Sequence, residues 1–141
     1  MTTTAPLIGA VIIGRNEGDR LKACLASFGP EFDQIIYVDS GSTDGSVAAA
    51  KAAGAQVVVL DTDTPFTAAR ARNAGIAALA AMQTAPTYVQ FIDGDCALDP
   101  GWLTKARAHL DANPKVAVVC GRRRERFPDA SIYNHLCDVE W

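Results

Sequence analysis

Phe91-Ile92-Asp93-Gly94-Asp95 closes an apolar run with two carboxylates one residue apart. The run, Tyr88-Val89-Gln90-Phe91-Ile92, is short, β-branched and aromatic, the composition of a buried strand. Gly94 lets the backbone turn sharply and approach a ligand closely. Asp93 and Asp95 then stand at the carboxyl edge of a sheet, where open α/β folds bind ligands. Two hard oxygen ligands there suit Mg²⁺ or Mn²⁺ carrying a diphosphate. Taken alone, the tripeptide is more often a solvated turn, since Asp and Gly are common turn residues. The rest of the chain decides between the two.

Working outward, Leu7 to Ile13 is a continuous apolar run that suits a strand covered on both faces. Gly14-Arg15-Asn16-Glu17-Gly18 breaks it, and a helix follows with Leu21, Cys24, Leu25 and Phe28 on one stripe. Ile35 to Val38 reads as a second strand, stopped by Asp39-Ser40-Gly41-Ser42-Thr43-Asp44-Gly45. An alanine-rich helix ending near Gly54 leads to a third strand, Val57 to Leu60. The pattern predicts a helix from about Thr67 to Met82. After the opening strand, Asp99 reads as an N-cap with Pro100 the first helical residue. A fifth strand is expected at Val116-Ala117-Val118-Val119-Cys120. Alternating strands and helices mean βαβ units, a parallel sheet and right-handed crossovers.

The chain has 141 residues, about one domain, with a core over about 7–121 and a basic loop and further helical segment over 122–141. Hydrophobic residues make up 49% and charged residues 21%, which excludes a disordered chain. A net charge of −3 argues against general nucleic-acid binding. No apolar run approaches the ~20 residues that span a bilayer, and the N-terminus lacks a signal-peptide pattern. Cys24, Cys96, Cys120 and Cys137 show no zinc spacing; Cys24 and Cys120 read as buried thiols, and a reducing cytoplasm is the simplest setting. The sequence stops at Trp141 with aromatic residues still arriving and no C-cap signal. That is the look of an architecture truncated at its C-terminus, the alternative being that Trp141 docks as a plug.

Four βα junctions gather at the carboxyl edge: Arg15 to Glu17, Asp39 to Asp44, the 61–67 loop, and Asp93 to Asp95. Asp39 can accept a hydrogen bond from a base N–H or a ribose hydroxyl. Arg15 can stack on a base or pair with a phosphate. Ser40, Ser42 and Thr43 precede a helix, where capping is the safer role and anion binding the other.

Val11 to Glu17, Val38-Asp39-Ser40-Gly41-Ser42-Thr43-Asp44-Gly45-Ser46, Ala71-Arg72-Asn73-Ala74-Gly75 and Asp93-Gly94-Asp95 together resemble the ordered motifs of family 2 glycosyltransferases. The second motif is the most specific. The resemblance implies the GT-A fold, a Rossmann-like three-layer α/β/α arrangement with a mainly parallel sheet. It also implies binding of a nucleotide-diphospho-sugar, a UDP-sugar by the match at Asp39, for inverting transfer to an acceptor hydroxyl. Carried over by position, Glu17 contacts the nucleoside, Asp39 binds the base, and Asp93 lies near ribose and metal. Asp95 ligates the metal, Mg²⁺ or Mn²⁺, and Arg72 and Asn73 stand beside the nucleotide, a structural role in its helix being the equal alternative for Asn73. The first loop departs from the family by carrying Gly14-Arg15 where an aromatic is common, so Arg15 is the substitute for base stacking. The general base of such enzymes lies beyond D-x-D, and Glu125, Asp129, Asp138 and Glu140 match no motif, so no catalytic base is assigned before Trp141. A nucleotide-binding module without catalysis is the other reading. A dehydrogenase is excluded because the first turn is not G-x-G-x-x-G.

Arg122, Arg123, Arg124 and Arg126 with Glu125 make a local charge of +3, leaving −6 over the rest. Three readings stand: a solvated face, a clamp on a diphosphate or acidic acceptor, and a peripheral contact with anionic lipid at the inner face of a membrane. The acceptor class stays open between a saccharide and a lipid-linked one.

Overall fold

The computed structural model describes residues 7–140. β1 (Ile8–Gly14) is buried at every position. It is an inner strand, parallel to β2 (Gln34–Asp39) on one side and β4 (Tyr88–Asp93) on the other. β3 (Gln56–Val59) pairs in parallel with β2, giving the order β3-β2-β1-β4. A strand with neighbours on both edges and helices on both faces has no wet side, which is why residues 8–13 read as one apolar run.

Alternate residues of β1 serve different layers, because successive side chains on a strand point to opposite faces. Ile12 packs with Tyr37 against Leu21 and Cys24 of α1 (Asp19–Ala26) and Ala50 of α2 (Ser46–Ala52). Val11 and Ile13 pack with Ile36 and Val38 against Ala71 and Leu79 of α3 (Ala68–Ala80). Each fully buried aliphatic side chain contributes about 1.5–3 kcal/mol. Gly75 brings α3 close to the sheet: a side chain there would collide with Val11. The result is the expected three-layer α/β/α fold, with every strand pairing parallel.

The chain runs from β1 outward through β2 to β3, then returns through α3 to place β4 on the far side of β1. The crevice between the ends of β1 and β4 is therefore the topological switch point, where open α/β sheets take their ligands.

Four expectations are corrected. Residues 116–120 form no strand; Val116 and Val118 are exposed, and so is Cys120, which is not a buried thiol. An apolar β-branched run is only a propensity, and a strand forms where a neighbour supplies the ladder. β4 is accordingly an edge strand, and Phe91 is partly exposed rather than buried. Asp99 does not cap a helix beginning at Pro100. The Asp99 carbonyl accepts from Trp102 N at 3.1 Å, the chain turns through Gly101 at φ 80°, and α4 (Trp102–Ala112) starts after it.

The described residues divide into two compact units, one ending at Leu98 and the other beginning at Asp99. In the second, Arg122 donates to the Asp138 carbonyl at 3.1 Å, and Glu125 N donates to Asp138 Oδ1 at 2.9 Å. These bonds join the basic stretch to α5 (Ile132–Glu140), none of whose residues is buried. Trp141, read above as a truncation mark or a plug, lies outside the described residues. No helix among the described residues is long and apolar enough to cross a membrane.

Candidate functional site

The loops after β1 and β2 are locked together. Asn16 sits at φ 55°, a left-handed conformation that Asn tolerates better than most residues. Its N–H donates to Ser42 Oγ at 2.9 Å, and its Oδ1 accepts from Thr43 N at 2.7 Å. Gly18 N donates to Asp44 Oδ2 at 3.1 Å, and Ser40 N donates to the Gly14 carbonyl at 3.1 Å. Asp44 Oδ1 accepts from Ser46 N at 2.9 Å. The Ser46 hydroxyl and N–H, with Gly18 N–H, hold the Asp44 carboxyl below its ordinary range. The expected capping of α2 by Ser40, Ser42 or Thr43 does not occur. Its N-cap is Gly45, and those residues face the first loop or the cleft described below.

Asp39, at the end of β2, is 1% exposed. Its Oδ2 accepts from Gly41 N at 3.0 Å and Ser42 N at 2.8 Å, and its Oδ1 accepts from the Tyr37 hydroxyl at 3.1 Å. Burial pushes the Tyr37 phenol well above its ordinary range, so it stays a donor. Asp39 thus shapes the turn from below. Ser40, next in sequence, is 5% exposed, and its Oγ has no hydrogen-bond partner.

A cleft of about 150 Å³ opens at this edge. Arg15 and Ser40 line it from the first two loops, and Leu60, Asp61, Thr62, Thr64, Pro65, Phe66 and Arg70 from the segment after β3. Arg70 holds that segment: Nη1 donates to the Asp61 carbonyl at 3.0 Å and the Thr64 carbonyl at 3.1 Å, with Asp61 Oδ2 3.4 Å from Nη2. Phe66 and Arg70 are absent from the sequence-based site. The available signal was an aromatic residue in an otherwise polar loop at a strand's carboxyl end.

Across the switch point, Arg72 Nη2 lies 2.8 Å from Asp93 Oδ1. Gly94 N donates to the Ile13 carbonyl at 2.8 Å, continuing β4 beyond Asp93, and Cys96 N closes a turn on the Asp93 carbonyl at 3.0 Å. A side chain at Gly94 would start 3.3 Å from Glu17 Cγ, so Glu17 packs between the two strand ends. Glu17 Oε2 is buried and lies 2.9 Å from Arg20 Nη2, close enough for an ion pair but not aligned as a hydrogen bond. Asp95 is exposed, and Cys96 Sγ donates to its Oδ1 at 3.4 Å. Beneath them, burial pushes the Cys24 thiol up to about 12, and the neighbouring Cys96, Asp95, Asp93 and Glu17 push it the same way.

The structure thus brings Arg72 to Asp93, and Glu17 to the turn between Asp93 and Asp95. It puts Arg15 in the cleft with Ser40, and leaves Asp39 beneath it. No group of three His, Cys, Asp or Glu residues among those described could hold a metal. Two exposed carboxylates around a glycine fit a cation that brings most of its own oxygen ligands, as Mg²⁺ does with a diphosphate and water.

The family model described as glycosyl transferase family 2 matches residues 10–137. A TPR repeat-containing protein of Synechococcus elongatus is 34% identical over 129 residues, covering 92% of this chain and 30% of that protein. Glycosyltransferase AglE of Haloferax volcanii is 28% identical over 137 residues, covering 92% of this chain and 43% of its own length. Glucosyl-3-phosphoglycerate synthase of Mycobacterium tuberculosis, crystallised with Mn²⁺, UDP and glucosyl-3-phosphoglycerate, superposes with a TM-score of 0.61 at 28% identity over 75% of this chain and 40% of that one. TarS of S. aureus shares the fold, with a TM-score of 0.64 at 20% identity over 86% of this chain and 39% of that one. The chain spans less than half the length of each.

Proposed function

The chain belongs to glycosyl transferase family 2, and from that premise we propose that its first unit binds the donor of a glycosyl transfer. The donor is a nucleotide-diphospho-sugar of the UDP type, and the transfer is inverting, to a hydroxyl of a saccharide or lipid-linked acceptor. The observation that carries this reading is the pairing of Arg72 with Asp93 at the switch point, with Asp95 two residues on. A cation and two carboxylates side by side suit a ligand that is itself an anion carrying a metal. The likeness to a synthase crystallised with Mn²⁺ and UDP supports the same chemistry.

Asp93 and Asp95 would hold Mg²⁺ or Mn²⁺, which when bound neutralises charge on the leaving diphosphate. Arg72 orients Asp93 by the bond described. Arg15 offers a flat cation at the cleft, and Glu17 holds the β1 and β4 ends in register through its stem. Asp39 shapes the loop on which these groups converge.

Calorimetric titration with UDP, with and without Mn²⁺, tests the reading, with NAD as control. UDP binding that requires Mn²⁺, with none for NAD, is expected. NAD binding in place of UDP would overturn it.

One observation favours a second reading, donor binding without transfer by this chain alone. Glu125 Oε1 accepts from Phe127 N at 3.0 Å and Asn134 Nδ2 at 3.2 Å, and Asp138 holds Arg122 and Glu125 N. Two of the four carboxylates after Gly121 are thus engaged within their own unit. Release of UDP from a UDP-sugar on addition of a saccharide acceptor would defeat this second reading.

A further inference from the structure

We propose that Arg70 is a positioning residue of the donor site: it holds the segment after β3 as a preformed wall of the cleft, so that a bound donor does not have to order it. The proposal rests on the donor reading above and names what keeps that site in shape.

The place of Arg70 in its helix is the first reason. Thr67 caps α3, its Oγ1 accepting from Arg70 N at 3.1 Å, which puts Arg70 in the first turn. The N-terminus of a helix carries positive character, so an acid is favoured there and a cation disfavoured. Departures from a local rule of this kind gather at functional sites. The guanidinium finds its partners outside the helix. Nη1 donates to the Asp61 carbonyl at 3.0 Å and to the Thr64 carbonyl at 3.1 Å, and Nη2 lies 3.4 Å from Asp61 Oδ2.

The segment itself is the second. Residues 61–67 are all exposed, so core packing does not fix them. The backbone hydrogen bonds described for this stretch lie at its ends, from Leu60 N to the Asp39 carbonyl at 2.9 Å and from Ala71 N to the Thr67 carbonyl at 3.1 Å. Asp63 N donates to Asp61 Oδ1 at 2.6 Å, a bond within the segment. Arg70 is what ties its middle to a rigid element, since Ala71 and Leu79 of α3 pack against the sheet.

What the segment carries is the third. Thr62, Thr64 and Phe66 line the cleft. A side chain at Gly41 would start 2.7 Å from Thr62 Cγ2, so the turn after β2 leaves the segment room here and little to spare. A wall set before binding spares the ligand the entropy of ordering it. Ordering the backbone of one residue corresponds to about tenfold in affinity. Arginine suits the task because its planar fork presents several N–H groups in fixed directions, whereas lysine ends in one ammonium on a flexible stem. Asp93 and Asp95, to which the donor reading gives the diphosphate, end β4, on the far side of β1 from β2 and β3. Arg70 therefore acts on the wall and not on the diphosphate.

The test is calorimetric titration of the chain with UDP, and separately with inorganic pyrophosphate, both with Mn²⁺, alongside thermal melting. Arg70→Ala and Arg70→Lys are each expected to lose about tenfold in UDP affinity and to bind pyrophosphate as the wild type does. Millimolar guanidinium should restore UDP affinity to Arg70→Ala and leave the wild type unchanged. Wild-type UDP affinity in Arg70→Ala, even with a lowered Tm, makes Arg70 purely structural and overturns the proposal while leaving the donor reading intact. Wild-type affinity in Arg70→Lys overturns it too, since charge alone would then suffice. So does a loss of pyrophosphate affinity equal to the loss for UDP, which would put Arg70 on the diphosphate. A wild-type chain that binds no UDP overturns the donor reading and this one with it.

Discussion

Arg72 Nη2 lies 2.8 Å from Asp93 Oδ1 and ties α3 to the end of β4 across the switch point. The two side chains are 40% and 50% exposed, so water screens the pair. An exposed ion pair contributes about 0.2–1 kcal/mol. Its place beside Asp95 matters more than its stability. Arg72→Ala is expected to shift Tm by a few degrees at most, yet to weaken Mn²⁺-dependent UDP binding about tenfold as Asp93 loses its orienting cation. Melting and calorimetry on the same sample check both halves. A large drop in Tm with unchanged affinity would make the pair purely structural.

Asp95 separates metal binding from folding more cleanly. It is exposed, and the one contact described for it is the weak thiol donor Cys96 at 3.4 Å. Asp95→Asn keeps the shape and removes the charge a hard cation needs. The expected outcome is an unchanged Tm and UDP binding that no longer responds to Mn²⁺. A variant whose UDP affinity still rises with Mn²⁺ as in the wild type would remove Asp95 from the metal site.

Much of this fold was legible because burial writes itself into sequence. β1 is covered on both faces, so its apolar run was unbroken, and alternation of Val11 and Ile12 between two cores could be inferred from period two alone. Residues 116–120 carry the same letters without a neighbouring strand, and propensity cannot report a missing partner. The Asp93 and Asp95 cluster was legible because its members are contiguous. The cleft was not: Arg15, Ser40 and Phe66 come from three loops, brought together only by the order β3-β2-β1. Nor could spacing tell Asp39 as a base reader from Asp39 as a turn anchor, since both want a carboxylate at a strand end. In the structure Asp39 is 1% exposed and accepts from three donors of its own strand and turn.

The lock between the first two loops predicts a graded effect at Asn16. Alanine there would lose the 2.7 Å bond to Thr43 N and would hold φ 55° without the local hydrogen bonding that suits Asn to it. A lost hydrogen bond costs about 1 kcal/mol, and left-handed backbone in a residue with a Cβ adds about 1 kcal/mol. Asn16→Ala should therefore destabilise by about 2 kcal/mol and Asn16→Gly by about half as much. Urea denaturation reads both. Equal losses in the two variants would show that the left-handed backbone contributes nothing.

Stability should fall on the alkaline side, and Cys24 should be one cause. Its thiol ordinarily titrates near 9.0, and burial beside Cys96, Asp95, Asp93 and Glu17 pushes it up to about 12 in the folded chain. Between those values the unfolded chain has lost a proton that the folded chain keeps. The unfolded state then binds fewer protons, so stability decreases as pH rises. Below pH 9 the contribution is fully present. Tyr37, pushed the same way from its ordinary 10.0, adds its share only at higher pH. Melting curves from about pH 8 to about pH 10 should show the wild-type Tm falling from pH 9 upward. Cys24→Ala should start lower, because it leaves a small cavity beneath the switch point, and should fall less steeply over the same window. Parallel curves for the two chains would mean that Cys24 ionises as readily in the folded state as in the unfolded one.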